Sequence, residues 1–246
     1  MPNAFPGFPR EAITFLRQLQ KNNNREWFQP RKDRFQAQCM GPMLELVELL
    51  CDDVRKFAAD HVIEPKRAVY RIYRDTRFSK DKTPYKTHMA AMFPRRGLGK
   101  NSCAGFYFHV SPDGCEIAGG MYMPGPEELA AVRGAIAADP DGWRELVEGK
   151  SLVKAVGPLL GEKLSRAPEG FPVDHPAVEY LRMRQWYFDA SLPADAACRP
   201  TFRKEIVRRF EAMAPVVHWL NGAVIAATRE SGVEPDPIPR RPEPMF

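Results

Sequence analysis

Gly105-Phe106-Tyr107-Phe108-His109-Val110-Ser111-Pro112-Asp113-Gly114-Cys115-Glu116-Ile117-Ala118-Gly119-Gly120-Met121-Tyr122 reads as a β-hairpin. Two apolar runs flank Ser-Pro-Asp-Gly, where proline presets φ and glycine accepts a positive φ. His109 falls at the opposite parity to Phe106 and Phe108, so alternation turns it away from them. Gly119-Gly120 inside the second run signals a bulge or a close backbone approach. Upstream, Met89 to Phe93 reads as a further strand. Val69-Tyr70-Arg71-Ile72-Tyr73-Arg74 reads as another, being rich in β-branched and aromatic residues. Downstream, Gln185-Trp186-Tyr187-Phe188 fits either a strand or a helix end.

Helical signals lie on both sides. Pro9 suits a first helical turn, with Ala12, Ile13, Leu16 and Leu19 at helical spacing behind it. Asn22-Asn23-Asn24 breaks that helix, and Asn24 is a good N-cap for the next. Gly41-Pro42 reads as a second interruption, before a stripe at Met43, Leu46, Val47, Leu50, Val54 and Phe57. A last long helix, from about residue 200 to 227, carries Phe202, Ile206, Phe210, Met213, Val217 and Leu220, and Pro215 should kink or end it. Helices that segregate from strands predict an α+β fold: an antiparallel sheet over about residues 68–122 packed by N-terminal and C-terminal helices. The domain reading is one unit over residues 1–232 followed by a proline-rich tail over 233–246.

The chain has 246 residues and a formal charge of +5. The charge is unevenly spread. Between Glu64 and Lys100, eleven Lys or Arg stand against three acids, a net of +8, which leaves −3 for the remainder. A local excess of this kind attracts anions. Five widely spaced cysteines without a CxxC argue against a disulfide framework or a structural zinc site, and point to a cytoplasmic protein. No stretch approaches the roughly 18 apolar residues of a membrane helix. The N-terminus shows no export leader, and no membrane association is expected. HExxH, GxSxG and EF-hand patterns are absent. Gly97-Leu98-Gly99-Lys100-Asn101-Ser102 lacks the leading glycine and the Lys-Ser/Thr pair of a phosphate loop.

The segment from Arg71 to His88 fits the pattern RxxRDxRFxxxKxxY at Arg71, Arg74, Asp75, Arg77, Phe78, Lys82 and Tyr85. This pattern resembles the signature of an uncharacterised bacterial family, domain of unknown function 2461. The resemblance extends to Asn23-Asn24-Arg25-Glu26-Trp27-Phe28, to Gly119-Gly120-Met121-Tyr122-Met123-Pro124 and to Pro215-Val216-Val217-His218-Trp219-Leu220-Asn221. It implies no catalytic residue, because the family carries no established activity.

The chemistry must therefore come from the residues. On a regular strand Arg71, Tyr73, Asp75 and Arg77 share one face. Asp75 could orient one arginine and leave other forks for a ligand, with Lys82, Lys86 and His88 closing from the following loop. The ligand-binding candidates are Arg71, Arg74, Asp75, Arg77, Lys82, Tyr85 and Lys86. The catalytic candidates are His88, Asp75 and Tyr85, with His88 as general acid or base. The competing reading is a folded ion network in which Asp75 neutralises its neighbours. His88 and His109 could pair on a metal, but no third ligand has recognisable spacing, so neither metal nor cofactor is expected. Arg182, Arg184, Trp186 and Tyr187 form a second basic-aromatic cluster, read as packing or as a wall of the same pocket.

The activity stays undetermined at this level, with three readings in order. The first is binding, with or without turnover, of a small phosphorylated or carboxylated ligand. The second is a structural or adaptor protein. The third is nucleic-acid binding, against which Asp75 and the absence of a nucleic-acid motif weigh. On the first reading, Arg74→Ala and Lys82→Ala leave the fold intact and abolish ligand binding. The oligomeric state is not legible.

Overall fold

The structure is a computed structural model and describes residues 4–99 and 103–231. The proline-rich tail expected over 233–246 and part of the Arg95–Lys100 loop lie outside the described residues. Ten α-helices and four strands are described in chain order: α1 (Arg10–Lys21), α2 (Arg25–Phe28), α3 (Lys32–Phe35), α4 (Gly41–Val54), α5 (Pro65–Ala68), β1 (Met89–Pro94), β2 (Gly105–Val110), β3 (Cys115–Met121), α6 (Pro126–Ala138), α7 (Pro140–Val147), α8 (Lys150–Val156), α9 (Val178–Leu181), β4 (Trp186–Leu192) and α10 (Phe202–Ser231). The fold is α+β, with a four-stranded antiparallel sheet in the order β1-β2-β3-β4.

The hairpin forms as its pattern predicts, with Val110 opposite Cys115 and Gly105 opposite Gly120. Its turn is closed differently. Gly114 is not among the residues with positive φ. Instead the Ser111 hydroxyl donates to the Gly114 carbonyl at 2.8 Å and accepts from the Asp113 and Gly114 N–H groups. At Gly120, φ is +132°, and a Cβ there would fall on the Trp186 carbonyl oxygen. The glycine therefore serves close approach of β4, not a bulge, and the ladder runs through it unbroken.

Two expectations about the sheet change. Residues 69–74 do not form a ladder strand: they contribute isolated bridges at Val69–Ala91 and Tyr73–Tyr85 beside β1. The physical reason is Pro84. Arg74 N–H donates to the Pro84 carbonyl, but proline has no N–H to return the bond. The fourth strand comes instead from Trp186–Leu192, far along the chain.

α10 covers one face of the sheet. Phe210 packs on Phe93 and Phe106 at ring distances of 5.8 and 5.0 Å, and Met213 sits over Gly119. The helix passes through Pro215 without ending there, which removes the boundary that the sequence offered as one of two outcomes. Pro215 is exposed, so water can take the carbonyl that its missing N–H leaves unpaired. Gly41-Pro42 is no interruption either. A π-helical segment, Gln36–Met40, leads directly into α4, and Pro42 occupies the first turn, where its missing N–H is tolerated. Asn24 caps α2 as expected, accepting from Trp27 N–H at 2.8 Å.

Two buried or half-buried asparagines pin the non-repetitive backbone. Asn23 donates to the Tyr85 carbonyl and accepts from its N–H, at 2.9 and 3.1 Å. Asn221 on α10 does the same for Ala104, at 3.1 and 2.9 Å, and contacts His61 Nε2 at 3.4 Å. His61 Nδ1 in turn bonds the Phe93 carbonyl at 2.9 Å. No helix among the described residues is long and apolar enough to cross a membrane.

Candidate functional site

The charged motif folds largely onto itself. Arg74 donates to Asp81 Oδ2 at 2.5 Å, to the Thr83 carbonyl at 3.1 Å, to the Thr83 hydroxyl and to Ser79 Oγ at 3.5 Å. Asp81 also accepts from the Thr83 N–H at 2.9 Å. Lys82 Nζ donates to the Thr76 carbonyl at 2.9 Å. Asp75 receives Arg77 as a fork, Nε on Oδ1 at 3.0 Å and Nη2 on Oδ2 at 2.7 Å. That fork, and then the Arg77 N–H, hold the Asp75 carboxyl down to about 2. The loop over residues 75–83 is thus a set of local pairs around Arg74. Arg74→Ala should loosen this loop and leave the core intact. Hydrogen exchange should quicken over 75–83 while the melting temperature moves by only a few degrees, since exposed pairs contribute little.

The remaining motif residues divide between two sides. Tyr85 is buried and stacks on Phe28 of α2 at 4.2 Å, with Tyr73 at 5.5 Å. Its phenol is pushed up by burial and then by Tyr73. By alternation Arg71 points to the Tyr73 side and is exposed. Lys86 and His88 face the other way. Lys86 Nζ lies 4.6 Å over the Tyr70 ring, and the His88 ring is 5.1 Å from that of His109.

His88 and Lys86 thereby join the sheet face opposite α10. On this face Met92, Tyr107, His109, Glu116, Ala118, Gly120, Tyr187 and Asp189 are half-buried, while Ala90, Pro94 and Gly105 are buried and Ser191 is exposed. Register places His109 across from Glu116, and Tyr107 across from Ala118, whose other neighbour is Asp189. Two strand spacings put Tyr107 and Asp189 about 10 Å apart with only a methyl group between them. The result is a notch floored by Ala118 and walled by Tyr107 and Asp189. Tyr107 Oη and His109 Nδ1 share a hydrogen bond at 3.2 Å, and Glu116 Oε2 stands 3.5 Å from the same nitrogen.

Every resolved shift on this face favours the uncharged form. Burial, then His109 and Lys86, hold the His88 pKa down to about 4. Burial also lowers His109 against the opposing charge of Asp189, so the contact with Glu116 becomes an ion pair only on protonation. Burial raises Tyr107 and Tyr187. Burial and then Glu116 raise Asp189, whose Oδ1 is enclosed without a hydrogen-bonding partner among the described residues. Groups whose protonation is displaced this way, gathered on one accessible face, are suited to hold polar ligand atoms and exchange protons with them. Among the described residues no three His, Cys, Asp or Glu are arranged to hold a metal ion.

The second basic-aromatic cluster disperses. Arg182 donates to the Leu164 carbonyl and pairs with Glu179, Trp186 is buried, and Tyr187 alone reaches the open face. Arg95, Arg96 and Arg229 line a separate shallow groove of about 220 Å³, with Arg95 paired to Asp60. Sequence reasoning did not single out Tyr107, Glu116 or Asp189 for a site. The alternation of the hairpin carried the signal for the first two. Asp189 had none, because its strand finds its partner only in three dimensions.

The sequence matches the conserved hypothetical protein family DUF2461 over residues 11–219. The chain belongs to this family. No curated protein and no solved structure matches it. The family assigns no activity, so function must be argued from the face just described. Asn23 and Gly120, inside the matched residues, and Asn221, just beyond them, make close backbone contacts that tie distant segments together.

Proposed function

We propose that the protein binds a small organic ligand on the open face of the sheet, across the Ala118 notch. The observation that carries this reading is Asp189 Oδ1, a carboxylate oxygen enclosed without a partner beside a side-chain gap on a half-buried face. Buried polar atoms are normally paired, so this oxygen calls for a donor, which a ligand entering beside Asp189 would supply. Tyr107 offers a ring edge and a hydroxyl, and His109 a neutral imidazole. Lys86 brings a positive charge to one end of the row, where a carboxylate or phosphate of the ligand would sit. The anionic ligand expected from the charged motif is retained, with its binding moved from the arginine forks to Lys86 and the sheet. A cytoplasmic location goes with this reading, supported by five free cysteines.

The test is ligand-observed NMR with a library of carboxylate- and phosphate-bearing heteroaromatic compounds. The wild-type protein should select binders whose affinity falls roughly tenfold in both Asp189→Ala and His109→Leu, the worth of one buried hydrogen bond. Binders retained equally by both variants would contradict the proposal.

A further inference from the structure

Phe78 is 95% exposed, at the tip of a loop otherwise cross-tied by Arg74, Asp81 and Thr83. A large ring left in water on a tied loop is unlike a lone apolar residue on a mobile one. Its setting is also specific. The Arg77 guanidinium, oriented by the Asp75 fork, lies 5.8 Å from the Phe78 ring centre. Arg71, Lys80 and Lys82 are exposed in the same segment, and Tyr73, 43% exposed, supplies a second ring. Over residues 71–86 six Lys or Arg stand against two Asp. Both aspartates are committed to arginines inside the loop. Asp75, which weighed against nucleic acid in the sequence, therefore acts here to aim Arg77.

We propose that this loop is a binding site for single-stranded nucleic acid, with Phe78 and Tyr73 stacking on bases and Arg71, Arg77, Lys80 and Lys82 meeting the phosphates. Interleaved rings and cations are what a sequence-tolerant single-strand site needs. A duplex keeps its bases stacked and out of reach of a single exposed ring. Cores of protein interfaces are depleted in lysine, whereas Lys80 and Lys82 follow the ring within four residues. A single ring with a few cations is a marginal anchor for a lipid surface. The site is separate from the open sheet face, and its outcome does not depend on the ligand proposed there.

The experiment is fluorescence anisotropy of labelled oligo(dT), about 20 nucleotides long, against the full chain at about 50 mM salt. The wild type should bind, lose most of its affinity by about 200 mM salt, and prefer the single strand to a duplex of the same length. Phe78→Ala should weaken binding roughly tenfold at an unchanged melting temperature, since the ring packs on little else. No binding at low salt overturns the proposal. So does binding indifferent to Phe78→Ala, tighter binding of the duplex, or association with phosphatidylserine vesicles in place of the oligonucleotide.

Discussion

Asn221→Leu is expected to cost about 4 kcal/mol of folding stability, read as the drop in urea unfolding free energy. Asn221 is fully buried on α10, and leucine has similar bulk, so the loss is polar rather than steric. Three groups lose their partner together: the N–H and the carbonyl of Ala104, itself fully buried, and Nε2 of His61. Each buried polar group left unpaired costs about 1–3 kcal/mol. Against a total stability of about 5–15 kcal/mol, the variant should be marginal at 37 °C. A change under about 1 kcal/mol would mean that water replaces the side chain, which this dry setting does not allow for.

Mild acid should destabilise the protein before its carboxylates titrate. His61 is 1% exposed, and burial holds its pKa down from 6.5 to about 4. The unfolded chain takes up a proton below pH 6.5, whereas the folded one resists until about 4. Stability is therefore fully present above pH 6.5 and is lost as pH falls toward 4. One histidine contributes at most about 1.4 kcal/mol per pH unit, so His61 alone removes about 2 kcal/mol between pH 6.5 and 5. His88 and His109 shift in the same direction and add to the slope. Aspartates held low, Asp75 by Arg77 and Asp81 by the Thr83 N–H and then Arg74, contribute only as the pH approaches their ordinary range near 4. Urea unfolding at pH 7, 6 and 5 checks this, and a flat profile over that window would contradict the buried neutral state of His61.

The parts of the fold legible in sequence are those whose signals are local. The 105–121 hairpin shows alternation around a turn, α1 shows a helical stripe, and Asn24 caps α2. The parts that were not legible depend on a distant partner. β4 looks like a short aromatic run until β3 lies beside it. Residues 69–74 have strand composition, yet Pro84 opposite them cannot complete the ladder. The site followed the same rule. Charge density drew attention to Arg74, Asp75 and Arg77, but opposite charges within a few residues find each other first. His109 and Tyr107 were placed by alternation. Their convergence with His88 and Asp189 needed the sheet, because the four come from two strands and the end of a loop.

The open face is tested most directly by backbone amide NMR of the protein titrated with a binder from the heteroaromatic library. Shifts should concentrate at residues 86–88, 107–109, 116–118 and 187–189, around the Ala118 notch. Shifts concentrated instead on the 75–83 loop, or on the groove of Arg95, Arg96 and Arg229, would contradict the account and return the ligand to the arginine forks.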